Sequence, residues 1–180
     1  MTPHQYLEQA RAIVASCQLC FVLTPNGGEV NARVVQHLKV DDDLSVQFMT
    51  SRKTRKIREL TRAGSLSLTF LDEAGRSYVT LGGDASVSDD PALKNALWRE
   101  TLRPWFPDGP HHPDVVAVTC RPRWIELWSL SRGVAPEPKG LNSIRLVQSP
   151  TGWKTTVTSP PDADEVHRLE SAGVSEISSA

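Results

Sequence analysis

Arginines, lysines and hydroxyls gather in two nearby stretches of this chain. Arg33 lies in Asn31-Ala-Arg-Val-Val-Gln-His-Leu38, and Thr50, Thr54, Arg55 and Lys56 lie in Phe48-Met-Thr-Ser-Arg-Lys-Thr-Arg-Lys-Ile-Arg-Glu-Leu60. Such residue types recognise a phosphate. Guanidinium and ammonium groups donate charge-assisted bonds to its oxygens, hydroxyls add neutral ones, and backbone N–H groups at a helix start complete the shell. The first stretch alternates as a strand does. The second ends a strand near Thr50, turns, and opens a helix with Thr54 as its cap, Ile57 and Leu60 as its apolar side and Gly64 as its stop. Thr54, Arg55 and Lys56 therefore sit at the positive end of the helix dipole. The run Arg52, Lys53, Arg55, Lys56, Arg58 and Arg62 also reads as a solvated basic face, and spacing alone leaves both readings open.

Other chemistry-bearing residues are weaker candidates. His37 has no visible acid–base partner and reads as structural. His111 and His112 are neighbours in sequence, point to different sides of the chain and lack a third ligand, so no metal is expected. Cys17-x-x-Cys20 has no second pair, and Cys120 stands alone in an apolar strand; three buried thiols are the reading.

The elements that position these groups are short strands and a few helices. Thr2-Pro3 caps a helix that runs to about Ala15 with Leu7, Ala10 and Val14 on one side. Leu19 to Thr24, the turn Pro25-Asn-Gly-Gly28 and Glu29 to Leu38 form a hairpin carrying Arg33. After Asp41-Asp-Asp43, Leu44, Val46 and Phe48 alternate with polar residues. Ser65 to Leu71 pairs with Ser77 to Ser88, in which Gly82-Gly83 marks a bulge or a close backbone approach. Asp90-Pro91 starts a helix expected to reach Arg103. The proline-rich loop from Trp105 to Pro113 covers the core or walls a pocket. Val115 to Leu130 reads as a long strand broken near Arg121-Pro122, with Trp124, Glu126 and Trp128 on one face. After a loop from Ser131 to Leu141, Ser143 to Val147 and Trp153 to Val157 form a last hairpin. The fold class is mainly β (α+β), an antiparallel barrel with peripheral helices, predicted as one domain over residues 1–158 with a polar tail over 159–180 that includes a helical turn at Asp164 to Leu169.

From Leu19 to Trp153 the order of these segments resembles the FMN-binding split-barrel family that includes pyridoxamine 5'-phosphate oxidase, and within it the general-stress-protein-26-like branch. The segments are Arg-Val-Val, Phe-Met-Thr, Thr-Arg-Lys-Ile, Tyr-Val-Thr-Leu-Gly-Gly-Asp-Ala, Leu97-Trp98, Trp105-Phe-Pro-Asp-Gly109 and Trp124-Ile-Glu-Leu-Trp128. The resemblance implies an FMN split β-barrel and a homodimer with flavin at the interface. It implies that Arg33, Arg55 and Lys56 hold the FMN phosphate beside Thr50 and Thr54, and that Val34, Val35 and Met49 contact the cofactor. Trp128 would border the flavin ring, and Tyr78 would approach it from the other subunit. Trp105, Phe106 and Arg145 are the expected substrate-pocket residues. FAD or a deazaflavin is the alternative cofactor, and a flavin-binding stress or carrier protein without turnover is the alternative to an oxidoreductase.

Composition narrows the remaining choices. The chain has 180 residues, 39% of them apolar, and a net charge of -1. That charge gives no general attraction for nucleic acid or membrane, so the basic run is a local feature suited to a small anion. No apolar stretch reaches the roughly 20 residues that span a bilayer, and a cytoplasmic protein is expected. One departure from the family bears on substrate: Arg145-Leu-Val-Gln148 lacks the histidine and second arginine of the C-terminal Arg-x-His-x-x-Arg-like signature of true pyridoxamine phosphate oxidases. The FMN-loaded protein is therefore expected to oxidise pyridoxamine 5'-phosphate far more slowly than about 1 per second, the lower end of ordinary enzyme turnover. A steady-state assay reaching that rate would restore the vitamin B6 assignment.

Overall fold

The computed structural model describes residues 1–136 and 140–157. The expected C-terminal tail, its helical turn and the centre of the 131–141 loop lie outside the described residues. Helix α1 (Pro3–Ser16) begins with a capping box in which Thr2 and Gln5 satisfy each other's backbone N–H groups. Strands β1 (Leu19–Asn26) and β2 (Glu29–Gln36) follow, then β3 (Lys39–Val40), β4 (Val46–Ser51) and helix α2 (Arg55–Ala63). β5 (Ser65–Asp72), β6 (Ser77–Ser88), α3 (Pro91–Leu97), β7 (Val115–Ser129), β8 (Ile144–Ser149) and β9 (Gly152–Val157) complete the chain.

Among the described residues all strand pairings are antiparallel. The main path runs β2-β1-β5-β6-β7-β4-β3, while β8 joins β7 and carries β9. β7 is the axis of the sheet because it changes partner along its length. Residues 115–120 pair with β4, and residues 124–127 pair with β8. β6 accompanies it along nearly its whole length. Alternate residues of β1, β4, β5, β6, β7 and β8 converge with Ala10, Ile13 and Val14 of α1 and Ile57 and Leu60 of α2 on one buried cluster. A sheet whose one face meets itself in this way must roll into a barrel. Phe48 and Phe70 are fully buried within it, each contributing roughly 1.5–3 kcal/mol by leaving water.

Three expectations are completed or corrected. The polar residues that alternate with Leu44, Val46 and Phe48 lie on a side that is buried too, since every residue from Leu44 to Thr50 is buried. Val46 and Phe48 face the barrel core, while Met49 faces a second apolar cluster with Leu97, Leu102, Val115 and Ala117. α3 covers what would otherwise be the solvent side of this strand. That helix also stops at Leu97 rather than Arg103, with a separate 3-10 turn at Glu100–Leu102. Arg99 folds back onto the carbonyls of Ala96 and Trp98, and Trp98 Nε1 donates to Glu100, so side chains terminate the helix.

The third point concerns Pro122, which lies inside a continuous β7 and does not break it. Its register against β6 shifts between Gly82 and Gly83, and Arg123 is left without a partner on β6. The extra residue changes which side of β7 faces inward: Val116, Val118 and Cys120 are core residues before it, Ile125 and Leu127 after it. Pro122 lacks an N–H at the point where β7 leaves β4 and has not yet joined β8, so no ladder bond on that side is lost. The two glycines opposite allow this approach. A Cβ on Gly83 would lie 1.9 Å from the Arg121 carbonyl oxygen, and one on Gly82 would lie 2.2 Å from the Trp124 ring. Gly83→Ala, which meets backbone, is expected to destabilise the protein by about 2–3 kcal/mol, and more than Gly82→Ala, which meets a movable side chain. Urea denaturation of the two variants checks the order.

Candidate functional site

The corner between β4 and α2 assembles most of the cations singled out in the sequence. α2 begins after Thr54 and ends at Gly64, whose φ of 67° is the left-handed conformation that suits glycine. The Thr54 hydroxyl does not cap the first turn and instead donates to the Ser51 carbonyl at 2.9 Å. The N–H groups of that turn are therefore left uncovered by the cap side chain. Lys56 donates from Nζ to Thr50 Oγ1 at 2.9 Å. Burial, and secondarily the nearby Arg33 charge, lower the Lys56 pKa from the usual lysine range. Two cations are thus held close together in a half-buried site.

Glu59 supplies the single negative charge in this arrangement. Its side chain is only 4% exposed, and its Oε2 meets the Arg33 guanidinium at 2.5 Å. The same oxygen accepts the Thr24 hydroxyl at 2.5 Å, while Oε1 accepts Asn31 Nδ2 at 2.9 Å and faces Arg55 Nε at 3.3 Å. Arg33 also donates from NH1 to Thr24 Oγ1 and to the Asn31 carbonyl. Arg33, Arg55 and Lys56 against one carboxylate leave a net charge of +2. A monoester phosphate carries about −1.5 to −2 at neutral pH, so the corner matches such a group in charge as well as in donors.

Glu59, Thr24 and Asn31 were not among the residues singled out from the sequence. The available signal was a lone glutamate inside a basic run, four residues after Arg55 and next to the core-facing Leu60. Of the other expected cofactor contacts, Val35 packs on the core and Val34 points outward opposite Phe21. Met49 lies in the second cluster, against which Phe106 also packs, whereas Trp105 is 71% exposed. His37 bonds the Cys17 carbonyl at 2.7 Å and sets its ring edge against Phe70, in keeping with a structural role.

Tyr78, Trp128 and Arg145 form a separate group on the outer face of the sheet. Tyr78 and Trp128 are direct cross-strand partners. Tyr78 donates to Glu126 Oε1 at 3.2 Å, Ser143 donates to the same oxygen at 2.9 Å, and Arg145 reaches Glu126 Oε2 at 3.3 Å. The Arg145 guanidinium lies 4.1 Å from the centre of the Trp124 ring, a cation–π contact. Trp128 Nε1 donates to the Gly140 carbonyl at 2.6 Å. Among the described residues no hydrogen bond or ion pair joins this outer group to the phosphate-type corner.

The corner carries a pH signature. Hydrogen bonding from Thr24, followed by Arg33, lowers the Glu59 pKa below the usual glutamate range despite burial. A depressed carboxylate pKa contributes stability that is complete above the unfolded value of about 4.3 and is lost as pH falls through the folded value. Glu59→Gln should lower the melting temperature at pH 7 and reduce the acid-side decline in stability. A variant with the wild-type pH profile would show that Glu59 does not organise the corner.

The described residues contain no helix long and apolar enough to cross a membrane. The sequence profile described as pyridoxamine 5'-phosphate oxidase like matches residues 5–136. General stress protein 26 of Bacillus subtilis is 28% identical over 89 residues, 48% of this chain and 63% of that protein, so the match spans less than two thirds of that relative. Among solved structures, a general stress protein 26-related protein of the pyridoxinephosphate oxidase family from Clostridium acetobutylicum superposes with a TM-score of 0.65. It is 20% identical, and the match covers 92% of this chain and 99% of that one. PhzG from Burkholderia lata, solved with tetrahydrophenazine-1-carboxylic acid, gives 0.65 at 23% identity over 88% and 92% of the two chains. A pyridoxamine 5'-phosphate oxidase-related, FMN-binding protein from Nostoc punctiforme gives 0.64 at 13% identity over 89% and 98%. These likenesses identify the rolled antiparallel sheet as the split-barrel fold. With its profile matched over most of its length, the chain belongs to the pyridoxamine 5'-phosphate oxidase-like family.

Proposed function

We propose that the protein binds FMN and acts as a flavin-dependent oxidoreductase distinct from true pyridoxamine phosphate oxidases. The observation that carries this reading is the net +2 corner of Arg33, Arg55, Lys56 and Glu59 at the start of α2. Arg33, Arg55 and Lys56 would hold the phosphate, Thr50 would position Lys56, and Thr54 would leave the first-turn N–H groups available. The flavin would supply the electron chemistry, while the protein supplies grip and orientation. The description of the Nostoc relative as FMN-binding supports the choice of cofactor.

The same reading includes a homodimer. The phosphate corner lies on the core-facing side of the sheet, whereas Tyr78, Trp128 and Arg145 lie on the outer side, so a second copy would be needed to bring an outer group to the ring. Exposed apolar residues on that outer side support it: Phe21 opposite Val34, with Leu19 and Leu71 on neighbouring positions. A cytoplasmic location is part of the proposal, consistent with three buried, unpaired cysteines.

Titrating the protein with FMN and with riboflavin tests the reading, because only FMN carries the phosphate. Lys56→Ala is expected to cost FMN binding about 1.5–3 kcal/mol, roughly ten- to a hundredfold, and riboflavin binding much less. Equal losses for both ligands would assign Lys56 to fold stability. No change in flavin absorbance or fluorescence at saturating FMN would overturn the assignment.

A further inference from the structure

The basic run around α2 holds more positive charge than the phosphate corner uses. Arg52 is engaged by Asp89 and the Pro113 carbonyl, and Lys53 pairs with Asp114 at 2.6 Å. Arg58 makes no ion pair or hydrogen bond among the described residues, and Arg62 donates to the neutral Asn26 Oδ1 at 2.5 Å. Arg55 faces Glu59, but Arg33, Thr24 and Asn31 already occupy that carboxylate. Arg55, Arg58 and Arg62 line a groove of about 290 Å³ with Asn26 and Glu59.

The three arginines occupy one side of the helix, following the three- and four-residue spacing that stacks side chains. From Arg55 to Arg62 the helix rises about 10 Å at 1.5 Å per residue. Like charges at such spacing repel one another, so the groove is more stable with an anion in it than without. Glu59 forms the boundary: Arg33 and Lys56 lie towards the barrel, and the arginine groove opens to solvent. The rest of the chain offsets the local charge, giving -1 overall. A confined patch on a near-neutral protein suits a small polyanion better than a nucleic acid, which needs an extended basic stripe.

From this we infer that the groove is a second anion subsite, taking a further phosphate or carboxylate of a ligand whose first phosphate sits at Arg33, Arg55 and Lys56, with Arg55 bordering both places and Arg58 and Arg62 serving the groove alone. The inference rests on the phosphate reading of that corner. FMN, with its single phosphate, leaves the groove open, and ligands with several linked anionic groups gain affinity from Arg58 and Arg62.

Calorimetric titration with inorganic tripolyphosphate, orthophosphate and FMN tests this on wild-type protein and on the Arg58→Ala/Arg62→Ala double variant. Both arginines are exposed, so the variant should still fold, which its thermal melting curve checks. At the usual strength of charge-assisted contacts, the variant should bind tripolyphosphate at least about tenfold more weakly while keeping FMN affinity within about twofold. Equal tripolyphosphate binding by the two proteins would overturn the inference and leave the arginines as a solvated face. A parallel loss of FMN would also overturn it, by merging the groove with the corner. Tripolyphosphate discrimination without FMN binding to wild-type protein would support the groove and refute the flavin reading.

Discussion

The buried carboxylate of Glu59 is the constraint on which the candidate site depends. A charge removed from water is tolerated only when it is paired and hydrogen-bonded, and Glu59 meets both conditions through Arg33, Thr24 and Asn31. Those partners come from β1 and β2, while Glu59 belongs to α2, so one carboxylate joins the first hairpin to the helix. It also fixes the orientation of Arg33. Without it, Arg33 and Lys56 would face each other uncompensated in a half-buried corner; with it, the corner retains an excess of positive charge that is limited and directed.

The rolled sheet serves this arrangement through β7. By pairing first with β4 and then with β8, that strand joins the corner at Thr50 to the outer face carrying Trp124, Glu126 and Trp128. The unpaired residue at Arg123 lets one strand serve both, since it reverses which side of β7 faces the core. Gly82 and Gly83 are the local requirement, because any side chain there would occupy space held by Trp124 or the Arg121 carbonyl. A bulge thus connects sequence to site architecture: it allows aromatic residues to face outward a few positions after a strand segment buried on both sides.

Much of this was legible in the sequence because local signals agreed with the fold. The alternation of Leu66, Leu68 and Phe70, the cap at Thr2-Pro3, the stop at Gly64 and the hairpin at Gly27-Gly28 each follow from residue chemistry that tertiary context did not override. The misreadings have physical causes. The burial of both sides of the strand through Met49 was not legible because its cover, α3, lies more than forty residues later in the chain. Pro122 looked like a break because a missing N–H matters only where a partner would accept it. Glu59 was overlooked because its importance comes from Arg33, Thr24 and Asn31, which are distant in sequence; only its place in a basic run was visible locally.

A corner with an excess of about two positive charges should hold a phosphate in its dianionic form. Free phosphate monoesters take up their second proton near pH 6. Phosphorus NMR of FMN bound to the protein, followed as pH is lowered from 8 to about 5, measures this directly, since the resonance moves when the dianion is protonated. The bound resonance is expected to stay at the dianion position through pH 6, with the flavin still bound. A bound phosphate that titrates near pH 6, as it does in water, would contradict it.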